Sequence, residues 1–356
     1  MTFTPPSVGK KIPATVVTGF LGAGKTTLIR NLIAQAGDKK IALIVNEFGD
    51  MGFDGDLLSD CGNPNCTEDD VVELKNGCIC CTVADEFLPT MEMLIAREPR
   101  PDHIVIETSG LALPQPLVQA FQWPSVRASV TVDGVVTIAD ASALSEGHYS
   151  QNEDAIAKQR ALDDNLDHES PIDELFADQL KCADMVVISK ADLVDADGIA
   201  RVEALIGEHA RKGVKLIHSS NGNVSAAVLL GLDSEAEQDL DSRKAAHDHH
   251  HHDDEEDDHD HDHNHHHDDF HSVVVMPRIF ASMDEMKSSV ESCLAQAGIL
   301  RVKGYAAIEG KKARVVVQAV GRRVDCWFDT ASNDATGLVV IGLKDFDQSA
   351  VEYKLV

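Results

Sequence analysis

Basic residues are scarce in this chain. Its 356 residues include 31 Lys and Arg against 60 Asp and Glu, for a net charge of -29. That field repels phosphate polymers and anionic lipid, and only 11 Phe, 3 Tyr and 2 Trp are available to stack on bases. Nucleic acid and membrane are therefore not expected as partners. No run approaches the roughly 20 apolar residues that span a bilayer, and residues 1–12 lack the apolar core of a secretion signal, so a cytoplasmic location is expected. Cysteine is sparse as well: eight in the whole chain is too few for a disulfide scaffold, and in a reducing compartment clustered Cys point to metal or catalysis. What the chain has in quantity is apolar residues, at 43%, enough to bury a core over a length that implies about two domains.

One composition shift sets the organisation. Residues 247–271 hold 12 His, 11 Asp or Glu, one Asn and one Phe, with no Lys or Arg, and read as a disordered linker. Without those 11 acids the net charge is still -18, against -29 for the whole chain. Interleaved imidazoles and carboxylates offer many weak, exchangeable sites for divalent ions, so the tract reads as a metal-collecting segment whose affinity falls below about pH 6.5.

Residues 1–246 alternate short β-branched runs with helical patterns, the signature of βαβ units on a mostly parallel sheet. Strands are expected at 14–18, 41–45, 103–106, 135–139, 185–188 and 214–217, and helices at 25–36, 84–97, 116–121, 172–181 and 199–211. Residues 272–356 predict a small α+β domain: strands at 272–280, 302–308, 314–319, 323–328 and 338–342, and a helix at 283–297.

Gly19-Phe20-Leu21-Gly22-Ala23-Gly24-Lys25-Thr26 fits G-x-x-x-x-G-K-[ST] between an apolar strand and a helix start. Glycines let the backbone curl until its N–H groups face phosphate at the positive end of the helix. The candidate cradle is Gly22, Ala23, Gly24, Lys25, Thr26 and Thr27. Lys25 would bridge the β- and γ-phosphates, and the Thr26 hydroxyl would ligate Mg2+. The strand at 103–106 runs into Glu107-Thr108-Ser109-Gly110, which would put a carboxylate within reach of Mg2+ or its water and the Gly110 N–H within reach of a γ-phosphate. Ser189-Lys190-Ala191-Asp192 approximates N-K-x-D, whose Asp accepts the N1 and N2 protons of guanine, a donor pair that adenine lacks. Ser189 stands where that motif has Asn. Ser219-Ser220-Asn221-Gly222 is a candidate further wall of the base pocket.

Cys78-Ile79-Cys80-Cys81 sets three thiols within four residues, just before an expected helix N-terminus that favours thiolates. Three soft ligands can converge on one ion, and the fourth comes from Glu47, a water, or Cys61 and Cys66. Cys182, Cys293 and Cys326 read as core.

With these residues in view, the chain resembles the CobW family of P-loop GTPases, which are metallochaperones. The motifs that carry the resemblance are residues 19–26, Asn46-Glu47-Phe48-Gly49, residues 73–81, residues 107–110, residues 189–192 and Arg301-Val302-Lys303-Gly304, in the family's order and over nearly the whole chain. The resemblance implies a P-loop NTPase domain followed by a CobW-type C-terminal domain. It also implies slow GTP hydrolysis, a divalent transition metal held by the Cys triplet in the Mg-GTP state, and delivery to a client metalloenzyme. Residues 66–74 and 81–85 are similar to the branch associated with aerobic cobalamin synthesis, which implies Co2+ as cargo and a cobaltochelatase as client. Zinc-handling branches share nearly all these motifs, so Zn2+ stands beside Co2+. Two other readings stay open here: a metal-storage protein with a structural nucleotide site, and an ATP-dependent kinase or insertase, which Asp192 disfavours.

Overall fold

The aliphatic runs become strands because both of their faces find cover. A computed structural model describes residues 11–46, 71–74, 87–151, 156, 171–231, 237, 243, 270–320, 323–329, 336–343 and 346–356. In chain order the first part comprises β1 (Ile12–Thr18), α1 (Lys25–Ala34), β2 (Ile41–Asn46), β3 (Val71–Leu74), α2 (Leu88–Ala96), β4 (His103–Glu107), α3 (Pro114–Ala120), α4 (Pro124–Arg127), β5 (Val130–Asp140), α5 (Ala141–Ser145), α6 (Ile172–Cys182), β6 (Met185–Ser189), α7 (Ala196–His209), β7 (Lys215–Ser219) and α8 (Ala226–Leu229). The seven strands form one parallel sheet in the order β3-β2-β4-β1-β5-β6-β7. Successive residues of a strand point to opposite faces. Leu43 and Val45 of β2 accordingly join Leu28, Ile29, Leu32 and Ile33 of α1, whereas Ala42 and Ile44 join Met91 and Leu94 of α2 and Phe121 beyond α3. After β1 the chain moves to one side of it, returns through β4, and crosses to β5 on the other. The carboxyl ends of β1, β4 and β5 therefore flank the crevice where such sheets bind ligands.

Several expectations shift. The edge strand β3 was not expected, because four residues show no resolvable periodicity. The helix expected at 116–121 starts at Pro114, in the first turn, where a missing N–H costs nothing. The strand expected at 135–139 begins at Val130 and carries an irregularity: Ala14 pairs with Val132 and Thr15 with Gly134, which leaves Asp133 as the extra residue. Such a bulge re-aims a side chain. Asp133 turns inward to Thr15 Oγ1 at 3.3 Å and to the Gly231 N–H.

The second part comprises β8 (Phe270–Val275), β9 (Ile279–Phe280), α9 (Met283–Leu294), β10 (Ile299–Ile308), β11 (Val315–Val320), β12 (Arg323–Phe328), β13 (Gly337–Leu343) and α10 (Gln348–Leu355). The antiparallel order is β12-β11-β10-β13-β8, with β9 alongside β10. The single strand expected at 272–280 is divided at Pro277, which has no N–H for a ladder. Phe270 and His271, assigned by composition to the linker, pair with Leu343 and Gly342. α10 was not expected; it buries only Val351 and Leu355, and the Asp347 side chain caps it by accepting from the Ala350 N–H. Leu300, Val320 and Ile341 share an apolar cluster with Val224, Val228, Leu229 and Leu230, so this sheet packs against the segment after β7. Arg301, buried, donates through Nη1 to the Leu230 carbonyl at 2.9 Å, and Lys215 donates to the Leu294 carbonyl at 2.8 Å. Cys182 and Cys293 are core as expected, and Cys326 is half-buried; burial lifts all three thiols to about 11, away from the thiolate a metal needs.

At the amino end of the sheet, His103 is buried with Nε2 2.8 Å from Thr15 Oγ1. Thr15 has one proton, and with it given to Asp133 the imidazole N–H supplies the other bond. Burial, aided by the charge of Lys39, pushes the His103 pKa down to about 3. The unfolded value is near 6.5, so the stabilisation is complete above pH 6.5 and declines toward pH 3, by about 1.4 kcal/mol per unit. Urea unfolding at pH 6 and pH 5 should show this slope in the native protein and a reduced one in His103→Gln; equal slopes would contradict a neutral buried imidazole.

Candidate functional site

The phosphate loop connects β1 to α1, and its shape depends on three glycines at positive φ: Gly19 (133°), Gly22 (77°) and Gly24 (101°). At Gly19 a Cβ would also stand 2.4 Å from the Ile138 carbonyl oxygen, so the loop lies directly on β5. Gly24 is the N-cap of α1, no side chain caps that helix end, and no acid lies in its first turn. The first N–H groups of α1 are left for an anion. Lys25 is buried and folds back on its own loop, donating to the Gly19 carbonyl at 2.8 Å and to the Phe20 carbonyl at 3.2 Å. Burial lowers its pKa, while the charge of Glu107 raises it.

Glu107 closes β4 beside this loop. Thr26 donates to its Oε1 at 3.3 Å, and its Oε2 is buried with no hydrogen-bond partner. Burial raises its pKa, against the lowering effects of the Lys25 charge and the Thr26 hydroxyl. A hydroxyl and a carboxylate with a spare buried oxygen are hard donors, and they fit a Mg2+ that keeps several of its waters. Gly110 is wedged against the phosphate loop, where a Cβ would stand 2.8 Å from the Leu21 nitrogen. Only glycine permits that approach.

A cleft of about 310 Å3 continues from the loop; Ala23, Gly24, Thr27, Ser189, Lys190 and Asp192 line it, opposite Asn221 and Gly222. Ser189 answers the question raised by its substitution for Asn. Its hydroxyl donates to the Ala23 carbonyl at 2.6 Å and lies 3.2 Å from the Ala139 carbonyl, tying the base motif to the phosphate loop. Lys190 is left-handed (φ 55°, ψ 30°), a conformation that costs a non-glycine residue about 1–2 kcal/mol. Its ammonium is pinned on the buried carboxylate of Asp140. Asp192 is exposed at the cleft's edge, where it is accessible to a ligand. Asn31 donates to the Asn221 and Gly222 carbonyls, both at 3.0 Å, and so fixes the opposite wall to α1.

The structure therefore brings together Gly22, Ala23, Gly24, Lys25, Thr26, Thr27, Glu107, Gly110, Ser189, Lys190 and Asp192. Glu47, Cys78, Cys80 and Cys81, with Cys61 and Cys66, lie outside the described residues, as does most of the His tract. Among the described residues no group of three or more metal-ligating side chains converges. Arg301, part of the motif at 301–304, donates to the Leu230 carbonyl just after α8. Sequence reasoning missed Asp140, although it ends β5 as Glu107 ends β4, which was the available signal. No described helix is long and apolar enough to cross a membrane.

Known families and proteins resemble this chain over most of its length. The family model described as the CobW/HypB/UreG nucleotide-binding domain matches residues 13–216, and the one described as the cobalamin synthesis protein cobW C-terminal domain matches residues 271–356. A protein of a Sinorhizobium species named zinc chaperone CobW is 51% identical over 345 residues, covering 96% of this chain and 95% of its own length. A protein of the same name from Pseudomonas aeruginosa is 48% identical over 355 residues, covering 97% of this chain and 91% of its own. Among solved structures, Zn(II)-bound YjiA GTPase from E. coli aligns over 97% of this chain and 98% of its own at 20% identity, with a TM-score of 0.43.

Because the folded pKa of Glu107 lies above its unfolded value, its ionisation opposes folding, and that penalty grows as pH rises above 4.5. Glu107→Gln is expected to raise the Tm of the nucleotide-free protein at pH 7.5, while abolishing the further rise that Mg-GTP brings. Thermal melts check both; a fall in Tm without nucleotide would mean the carboxylate is already satisfied.

Proposed function

The chain belongs to the CobW/HypB/UreG family and is a GTPase, and from that premise we propose that it is a metallochaperone. In this reading Cys78, Cys80 and Cys81, with Glu47 as the fourth ligand, hold a divalent transition metal as cargo while Mg-GTP is bound. Loss of the γ-phosphate releases the cargo to a client metalloenzyme. One observation carries the reading. In a parallel sheet the carboxyl ends of β1, β3, β4 and β6 lie on one side, so Leu74, which ends β3 four residues before Cys78, shares that side with the phosphate loop and Glu107.

The chain's own groups have separable tasks. Lys25 exchanges two neutral carbonyl acceptors for the β- and γ-phosphate oxygens, a charge-assisted bond that is the stronger one. Thr26 and Glu107 hold Mg2+, which when bound neutralises charge on those phosphates. Gly110 presents its N–H to the γ-phosphate. Asp192 accepts from guanine N1–H and N2–H while Ser189 and Lys190 hold its turn in place. No arginine finger is identifiable in the sequence motifs, and turnover without a partner is expected to be slow.

The names of the two relatives favour Zn2+ as cargo, and thiolate affinity also ranks Zn2+ above Co2+. Co2+, with a cobaltochelatase as client and a place in cobalamin synthesis, is the second reading; it rests on residues 66–74 and 81–85 and on the description of the C-terminal family model. The His tract at 247–271 would serve as a reservoir, and deleting it should lower capacity while sparing one tight site.

Anaerobic titrations with Zn2+ and Co2+ in Mg-GTPγS and in Mg-GDP test the proposal. Metal should bind at least about tenfold tighter in the triphosphate state, with the same factor appearing in GTPγS affinity when metal is added. Changing all three Cys to Ser should remove the difference. Equal affinities in the two nucleotide states would end the chaperone reading.

A further inference from the structure

Gln179 of α6 carries no sequence signal, yet it is buried beside the segment that leaves Glu107. Its side chain is 0% exposed, and Nε2 donates to the Gly110 carbonyl at 3.0 Å and to the Ala112 carbonyl at 3.2 Å. Both amide protons are thus committed to one loop. Its Oε1 is buried without a partner, so the donors alone hold the amide, and the reverse orientation would set its oxygen against two carbonyls. The helix beneath is fixed in turn: the Gln179 main-chain carbonyl accepts from Thr137 Oγ1 on β5 at 3.1 Å.

Gly110 sits between two surfaces. On one side is Gln179, and on the other the Leu21 backbone, which leaves no room for a Cβ. α6 also reaches the phosphate loop directly. Phe176 packs with tilted rings against Phe20 at 6.1 Å and Tyr149 at 5.2 Å between centroids, and the neighbouring Ser150 donates to the Leu21 carbonyl at 2.8 Å. One helix therefore contacts both walls between which a γ-phosphate would lie.

We propose that Gln179 is the positioning residue that holds the Gly110 peptide in register with the phosphate loop, and so sets how strongly the site distinguishes a nucleoside triphosphate from a diphosphate. This rests on the reading of Gly110 as the γ-phosphate contact and adds the device that fixes it. A planar primary amide satisfies two carbonyls at once; leucine satisfies neither, and asparagine keeps the amide donors but draws them back by one methylene.

The test compares native protein, Gln179→Leu and Gln179→Asn in Mg-GTPγS affinity, Mg-GDP affinity and single-turnover GTP hydrolysis. For Gln179→Leu, GDP affinity should stay within about twofold while GTPγS affinity and the hydrolysis rate each fall about tenfold, roughly what two buried hydrogen bonds supply. Gln179→Asn should recover part of the loss. Equal weakening of both nucleotides would make Gln179 merely structural and overturn the proposal, as would unchanged discrimination. Gln179→Asn covers a leucine variant that fails to fold, since unchanged discrimination or equal weakening of both nucleotides there would overturn the proposal as well. Failure of the underlying reading looks different: in native protein the amides of residues 110–112 would then exchange at the same rate in GTPγS and in GDP.

Discussion

Two buried groups of opposite charge, held with fewer partners than they can use, determine how this molecule is built. Lys25 spends its ammonium on two carbonyls of its own loop, and Glu107 keeps one carboxylate oxygen with no hydrogen bond. Burial disfavours both charges, and each charge partly rescues the other. A fold carries such groups at a cost that hydrophobic packing must offset. The cost is borne here by an extensive core: β1, β4 and β5 are buried along nearly their whole length, and helices or the second sheet cover their faces. A magnesium nucleotide is the natural complement, because it supplies oxygens for the lysine and a cation for the carboxylate.

The same economy extends outward from the loop. Ser189 ties the base motif to Ala23, Asn31 ties the opposite wall to α1, and the chain then runs through α8 to Gly231, whose N–H is held by Asp133. Arg301 from the second sheet grips the carbonyl of Leu230 in that same stretch. The wall of the base cleft is thus continuous, through about ten residues, with the anchor of the C-terminal unit. A bulge at Asp133 and a buried imidazole at His103 lie at the far end of that path.

What could be read from the sequence follows from how local the physics is. The phosphate loop was legible because its mechanism needs glycines at set spacing between a strand and a helix, and each glycine fills that need. Strands buried on both faces were legible as unbroken apolar runs; β3 was not, being too short to show a period, nor was α10, which buries only Val351 and Leu355. Pro277 carried a clear signal that the expected strand ignored. Gln179 left no trace because a buried amide acquires meaning only from the carbonyls that distant segments bring to it. Asp140 was legible by position, ending a strand as Glu107 does, but its role depends on the Lys190 ammonium that a distant segment brings. Ser189 shows the reverse: its substitution for Asn weakened the motif on paper, whereas its hydroxyl finds the loop carbonyl directly. The triplet Cys78, Cys80 and Cys81 remains a statement about residue types and spacing.

The central claim is that Lys25 and Glu107 are completed by a magnesium nucleotide, and affinity for GTP measured with Mg2+ and then with excess EDTA tests it most directly. GTP should bind at least about tenfold more weakly without the cation, with a smaller change for GDP. GTP affinity indifferent to Mg2+ would contradict it, since the spare oxygen of Glu107 would then have no cation to meet.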